Sequence, residues 1–255
     1  HSNRIMFILR YLVHLGKDRG YQQAWVCYDA IIEYLLKHQC PETGLWHGFA
    51  KCDVRTAVYA AYHLFPFIFW RGIRPAYVER IIDSALSIQS TEGLFGRNIG
   101  GGACEDLDAI DTLVKFSLVT LSQDTVLAES LVRAFDRLLQ LQNQDGGFPN
   151  YLPTLTPAKS LKRRLAESIN LDVVLNRPYK PALEMSYYSG WRKVGAPKGH
   201  SDMWAAWFRP LALSLIVSRY PELAELSWDS HFHALPGLGW HDGERVLRSE
   251  PITCR

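Results

Sequence analysis

The sequence predicts an all-α protein, a single α/α toroid of about five to six helix hairpins that spans residues 1–255. Two observations predict this fold. A short turn motif recurs at a nearly constant spacing, and the segments between its copies alternate between amphipathic and uniformly apolar helical patterns. Hydrophobic residues make up 47% of the chain and charged residues 21%, which excludes wholesale disorder and allows a large core.

The recurring motif is a Gln at the end of a helical pattern, followed by a Gly and then an aromatic residue. Three copies are clear and two are weaker: Gln39–Trp46, Gln89–Phe95, Gln142–Phe148, Gly190-Trp191 and Gly237–Trp240. Their aromatic residues are 49, 53, 43 and 49 residues apart. A period near 50 residues gives room for one helix pair in each repeat.

The segments between the motifs predict two kinds of helix. Amphipathic helices, each with one apolar stripe, are expected at Gln22–Gln39, Ala76–Gln89 and Asp124–Gln142. Helices that are apolar on nearly every side are expected at Asp53–Phe65 and Met203–Val217, the second with Pro210 in its interior. Because a uniformly apolar helix must be buried all round, this alternation predicts an inner ring of helices inside an outer one.

Residues 149–200 interrupt the repeat. Lys159–Ile169 is a basic, helix-prone stretch, and the prolines of Asn176–Pro181 exclude a regular helix there. We expect an irregular insertion, a loop or flap, at about 149–200 in place of one helix pair. No second domain is needed.

The net charge and the cysteine content limit the partners and the cellular location expected for the protein. The net charge of +2 gives no field that would attract nucleic acid. No apolar run approaches the ~20 residues of a transmembrane helix. Five cysteines at low density favour a reducing, cytoplasmic location. The opening His1-Ser2-Asn3 shows no secretory leader, and we leave it out of the fold prediction.

The repeat resembles that of the terpene cyclase and protein prenyltransferase toroids, whose helix pairs are joined by QxxxGxW-type turns. The copy at Gln142–Phe148 is close to the usual form, and the resemblance extends roughly from Gln22 to Asp242. It implies a toroid that binds a hydrophobic small molecule in a central apolar cavity. Class II terpene cyclases normally join two such helical domains, and the prenyltransferase subunit works with a second subunit. This chain has room for one helical domain.

The starts of the inner helices are the expected site, because parallel inner helices would place their N-termini around one mouth of the cavity. These starts are Lys51–Arg55, Cys104–Asp111 and His200–Trp204. Helix N-caps are expected at Asp53, at Asp106 and at either Ser201 or Asp202. The three acids are alternatively catalytic carboxylates. The second start carries more acids than one cap needs: Glu105, Asp106, Asp108 and Asp111.

The sequence Asp106-Leu107-Asp108 resembles the core of the class II terpene cyclase motif, DxDD or DxDTT. The resemblance implies that Asp108 is a general acid that protonates an alkene or epoxide and that Asp106 tunes it. Ala109-Ile110 stands where the motif has Asp-Asp or Thr-Thr. A carboxyl group crowded by other carboxyls in apolar surroundings stays protonated, and Asp111, three residues on, should strengthen this effect.

Three alternatives remain open. The first is a zinc site, for which Cys52, Cys104 and His200, with an Asp, are suitable ligands. The acid mechanism, by contrast, needs no cofactor. Asp53, Asp106, Asp108 and Asp202 could instead be paired carboxylates of a carbohydrate-active toroid, a glycoside hydrolase or lyase. The last alternative is a non-catalytic toroid that binds a lipid, a glycan or a protein.

Overall fold

The computed structural model describes residues 2–48, 52–98, 100–120, 124–153, 185–187 and 195–223, and over these residues the chain is mostly helical. The α-helices are α1 (Ser2–Val13), α2 (Gln22–Lys37), α3 (Val54–Tyr62), α4 (Phe65–Trp70), α5 (Val78–Ser87), α6 (Ala103–Ser117), α7 (Asp124–Gln140) and α8 (Ala205–Arg219). A π-helical segment, His14–Asp18, extends α1, and a 3₁₀ turn at Pro221–Leu223 follows α8.

Two short strands lie where the sequence predicts an irregular insertion. β1 (Met185–Tyr187) pairs antiparallel with β2 (Gly195–Pro197). The basic stretch Lys159–Ile169 and the segment Asn176–Pro181 lie outside the described residues, as do the markers Gly190-Trp191 and Gly237–Trp240.

Two details differ from the sequence prediction. α1 begins at Ser2, inside the opening that we left out of the fold prediction. The helix expected at Asp53–Phe65 is divided into α3 and α4 around His63 and Leu64. Pro66 lies in the first turn of α4, where its missing N–H costs no helical hydrogen bond, so it favours a new helix start at this point.

The predicted alternation of helix types is present only in part. α3, which was expected to be buried all round, buries four of its nine residues, namely Ala57, Val58, Ala61 and Tyr62. α5 and α7 bury one face each, whereas thirteen residues of α6, from Ala103 to Ser117, are buried. α8 is buried along most of its length despite Pro210. α6 lies in contact with α3, α5, α7 and α8 and forms the centre of the described array.

The Gln of the repeated motif joins consecutive amphipathic helices. Gln89 Nε2 donates to Gly93 O within its own turn and to Ser130 O of α7, both at 2.8 Å. Gln39 Nε2 likewise donates to Gly44 O and to Ala76 O, next to α5, both at 2.8 Å. The motif is therefore a joint between one outer helix and the next.

The buried helices α6 and α8 run parallel. Near their starts, Arg209 Nη1 of α8 lies 3.1 Å from Asp106 Oδ2 of α6. At their ends, Arg219 Nε donates to Ser117 Oγ at 3.0 Å. No helix among the described residues is long and apolar enough to cross a membrane.

Candidate functional site

The starts of α3, α6 and α8 meet around the loop formed by residues 94–98 and 100–102. Arg55 and Tyr59 of α3 both donate to the carbonyl oxygen of Phe95 in this loop. Gly101 has a φ of +70°, and a Cβ there would lie 2.2 Å from Asp106 Oδ2. The glycine-rich turn thus lets the backbone wrap closely around an acidic side chain at the start of α6.

Asp106 is the residue around which this loop folds, and it is completely buried. Its Oδ1 accepts hydrogen bonds from the backbone N–H groups of Phe95 and Gly96, both at 2.8 Å. Its Oδ2 accepts from Gly102 N at 3.2 Å and from Arg209. Burial raises the pKa of Asp106, while Arg209 and these N–H groups oppose that shift. With every oxygen occupied, Asp106 is a structural anchor with no proton to donate.

Arg209 is the partner that the sequence analysis missed. It is fully buried on α8, and besides Asp106 it donates to the carbonyl oxygens of Pro149, Gly100 and Asn150. The signal in the sequence is a guanidinium in the middle of a largely apolar helix, since such a group must find a buried anion.

Asp53 and Asp202 both act as helix caps. Asp53 Oδ1 accepts the N–H of Thr56 at 2.9 Å, and its exposed carboxylate also pairs with Arg97. The Thr56 hydrogen bond, followed by the Arg97 contact, lowers the pKa of Asp53. Asp202 Oδ1 accepts the N–H groups of Trp204 and Ala205 at 2.8 and 3.0 Å. The geometry supports the capping interpretation of both residues.

Asp108 differs from these three acids. Its side chain is buried, with 6% of the residue exposed, and among the described residues no group donates a hydrogen bond to its carboxyl. Burial raises the pKa of Asp108 well above its ordinary value, and the other carboxyls of α6, Asp111 first, raise it further. Both effects favour the protonated form of Asp108.

Asp111 and Lys115 form a buried ion pair one turn further along the same face of α6. Burial raises the pKa of Asp111 and lowers that of Lys115, and the contact between them opposes both shifts. Asp111 Oδ1 is buried and has no hydrogen-bond partner among the described residues. Sequence reasoning noted Asp111 but not Lys115, although a spacing of four residues on a buried helix indicates such a pair.

Glu105 and Cys104 complete the acidic start of α6. Glu105 Oε2 accepts the N–H of Arg97 at 3.0 Å, and burial raises its pKa. Burial, followed by the neighbouring carboxyl of Asp108, raises the pKa of Cys104 to about 12. Cys104 is therefore a neutral thiol rather than a thiolate at physiological pH.

The residues proposed as zinc ligands do not come together. Among the parts of the chain that the structure describes, no three His, Cys, Asp or Glu side chains are arranged to hold a metal ion, and Cys52, Cys104 and His200 are all in those parts. Burial and the nearby Asp53 also raise the pKa of Cys52, which disfavours the thiolate that zinc requires. Zinc binding stays a prediction with no support from this geometry.

Comparison with known proteins gives no relative for this chain. No family model, curated protein or solved structure matches it. The function is therefore argued from the geometry of α6 and its neighbours.

Proposed function

We propose that the chain closes into an α/α toroid and acts as a class II terpene cyclase-like enzyme, in which Asp108 protonates a hydrophobic isoprenoid substrate. The observation that supports the activity is the buried carboxyl of Asp108, which has no hydrogen-bond donor among the described residues. A carboxylic acid in such surroundings keeps its proton at neutral pH and can deliver it to a substrate.

The contrast among the acids supports a catalytic role over a purely structural one. A buried carboxylate without a partner lowers the stability of the fold unless it binds a proton. Such a residue is therefore not expected where its only role is structural. Asp106, Asp53 and Asp202 all have structural partners. Asp108 alone among these four candidate acids is left with a proton to give.

The proposed step transfers one proton. The O–H bond of Asp108 breaks as a C–H bond forms at an alkene carbon of the substrate, or as an O–H bond forms at an epoxide oxygen. At an alkene, the π electrons form the new C–H bond. At an epoxide, a lone pair of the oxygen forms the new O–H bond, and the C–O bonding electrons move onto that oxygen as the bond breaks. In both cases a neighbouring carbon becomes cationic, a second alkene attacks that carbon to close a ring, and the cyclised cation loses a proton. Asp108 is left as a carboxylate. The reaction requires no cofactor, and aromatic faces are suited to stabilise the cation.

The toroid is supported by the parallel pair α6 and α8 and by the joints between outer helices. Both α3 and α8 begin near the start of α6, as a ring of inner helices with one common mouth requires. The Gln joints connect α2 to the start of α5, and α5 to α7, in the sequence order that such a ring requires.

The carbohydrate alternative has less support. Glycoside hydrolysis usually needs two carboxyl groups that flank the scissile bond. Asp53 and Asp202 cap helices, and Asp106 is held by Arg209. These contacts leave Asp108 without a second free carboxylate among the four residues considered for that chemistry.

The test is the variant Asp108→Asn, assayed with linear isoprenoid hydrocarbons, epoxides and diphosphates. We expect turnover to fall at least ~100-fold, as is usual when a general acid is removed, with an unchanged circular dichroism spectrum. Asp136→Asn is the matched control, because Asp136 is exposed on α7. Full activity of Asp108→Asn would contradict the proposal.

A further inference from the structure

Three ionisable side chains share one buried face of α6: Asp108, Asp111 and Lys115. They occupy positions i, i+3 and i+7 of the helix, which lie above one another. The Lys115 ammonium contacts Asp111 Oδ2, and the two side chains are each 1% exposed. The fully buried part of this face therefore carries two carboxyls but a single cation, and Glu105, one turn before Asp108, adds a half-buried third carboxyl at its edge.

The number of charges limits how this face can be protonated. An uncompensated buried charge is strongly unfavourable, so one ammonium can support only one carboxylate. Lys115 is one helical turn from Asp111 but two turns, about 10 Å along the axis, from Asp108. The carboxylate that Lys115 neutralises is thus Asp111. Asp108 has no cation and is neutral only if it keeps its proton.

The helices around α6 supply no second cation to Asp108 among the described residues. On α3, Arg55 donates to Phe95 O, and the ring of Tyr62 lies 5.7 Å from Lys115 Nζ. On α8, Arg209 is held by Asp106. The charged residues of α5 are exposed, namely Glu79, Arg80 and Asp83. On α7, Arg133 contacts Gln89 and Arg137 contacts Glu92, both in the turn that follows α5.

We propose that Lys115 is a positioning residue that decides which of the two carboxyls holds the acid proton, by pairing with Asp111 and leaving Asp108 protonated. The use of that proton in catalysis rests on the function proposed above. The assignment of the proton is a property of the resting protein and can be tested without a substrate.

The ion pair also has a consequence for the acid itself. The negative charge that Lys115 maintains on Asp111 repels the carboxylate that Asp108 becomes when it loses its proton. This repulsion disfavours loss of the proton to water. Asp108 then keeps its proton until a substrate reacts with it.

The test counts protonated carboxyls by infrared spectroscopy on the full chain at neutral pH, using the carbonyl stretch that only a protonated carboxyl gives. In the wild-type protein we expect Asp108→Asn to remove one such band and Asp111→Asn to remove none. In a Lys115→Met background, Asp111 loses its cation and must bind a proton, so Asp111→Asn should now remove a band as well. Lys115→Arg should restore the wild-type pattern, and Lys37→Met, at an exposed lysine, should not change it.

Each other outcome overturns a different statement. A band that Asp111→Asn removes from the wild-type protein would show that the Lys115–Asp111 pair is neutral, and the inference would fail. A Lys115→Met protein in which Asp111 gains no band would also overturn the inference, while leaving Asp108 as the acid. If Asp108→Asn removes no band, Asp108 is not protonated and the proposed function itself fails.

A second variant applies if Lys115→Met does not fold. The double variant Asp111→Asn/Lys115→Met removes both charges and keeps similar side-chain volumes. Asp108 should remain protonated there because it is buried, but its band should disappear at a lower pH than in the wild-type protein. An unchanged pH of disappearance would overturn the inference.

Discussion

Asp106 and Asp108 are two residues apart in the sequence and have opposite roles. Two residues on an α-helix point about 200° apart, so the two carboxyls cannot share an environment. Asp106 points toward the loop and Arg209, where every oxygen is occupied. Asp108 lies on the face of Asp111 and Lys115, without a donor of its own among the described residues. At the scale of single residues, one acid anchors the loop, and we propose that the other keeps a proton.

The first prediction concerns Asp106 and stability. The sequence suggests only the loss of a helix cap in Asp106→Asn, about 1 kcal/mol. The structure shows a buried ion pair instead, so we expect the free energy of unfolding in urea to fall by about 3–5 kcal/mol, because Arg209 is left as an uncompensated charge. Asp53→Asn, at an exposed cap, is the control and should lose much less. Equal losses would contradict the anchoring role of Asp106.

The second prediction concerns pH. The pKa of Asp108 is raised in the folded protein, so at pH below the unfolded pKa, about 3.9, both states hold the proton and its contribution to stability is complete. As pH rises above that value only the unfolded chain releases the proton, and stability falls by up to about 1.4 kcal/mol per pH unit until the folded pKa is reached.

Asp108→Asn cannot titrate, so its free energy of unfolding should decrease less between pH 4 and pH 7 than that of the wild-type protein. If the two free energies of unfolding are set equal at pH 4, that of the variant should be the larger at pH 7. Urea unfolding at both pH values measures this difference. Parallel pH profiles would show that the folded protein does not retain the Asp108 proton.

The sequence predicts part of the site and misses part of it. The acids of α6 and the capping by Asp53 and Asp202 follow from local patterns, because a cap and its N–H partners lie within one helical turn. The pairing of Asp106 with Arg209 links residues 103 positions apart. No local pattern specifies such a contact, and only the parallel packing of α6 and α8 brings the two residues together.

At the scale of elements, the repeated turn explains why the helical boundaries were predicted well. Gln39, Gln89 and Gln142 each donate to a carbonyl of their own Gly: Gly44, Gly93 and Gly146. This local bond closes the turn wherever the motif occurs, so the helix ends follow from the sequence. The division between α3 and α4 was missed because Pro66 begins a helix there rather than ending one.

The third prediction separates two reasons for the glycine in this turn. Gly93 and Gly146 have φ angles of +93° and +81°, so Ala at either position should lose about 1–2 kcal/mol through backbone strain. A Cβ at Gly93 would also lie 2.7 Å from Arg133 O of α7, whereas no described atom lies within 4 Å of a Cβ at Gly146.

We therefore expect Gly93→Ala to lower the free energy of unfolding by about 1–3 kcal/mol more than Gly146→Ala, because only the first forces two outer helices apart. Chemical denaturation of the two variants measures the difference. Equal losses would mean that the turn does not hold α5 against α7.

At the scale of the whole molecule, the described residues are mostly helical, as the hydrophobic pattern predicts. α6 is buried on nearly every side because α3, α5, α7 and α8 surround it. An acid on such a helix is removed from water by the fold itself, so the architecture supplies the desolvation on which the proposed chemistry depends. Burial of α6 therefore favours the protonated form of Asp108.

The most direct test of the central claim, that Asp108 donates a proton to the substrate, is to run the reaction in deuterated water with linear isoprenoids and analyse the products by mass spectrometry. An exchangeable Asp108 proton is replaced by deuterium, so a linear isoprenoid alkene should give a cyclised product with one non-exchangeable deuterium, at the carbon that was protonated. Asp108→Asn should form none of it. A cyclised product without deuterium, or equal product from Asp108→Asn, would contradict the account.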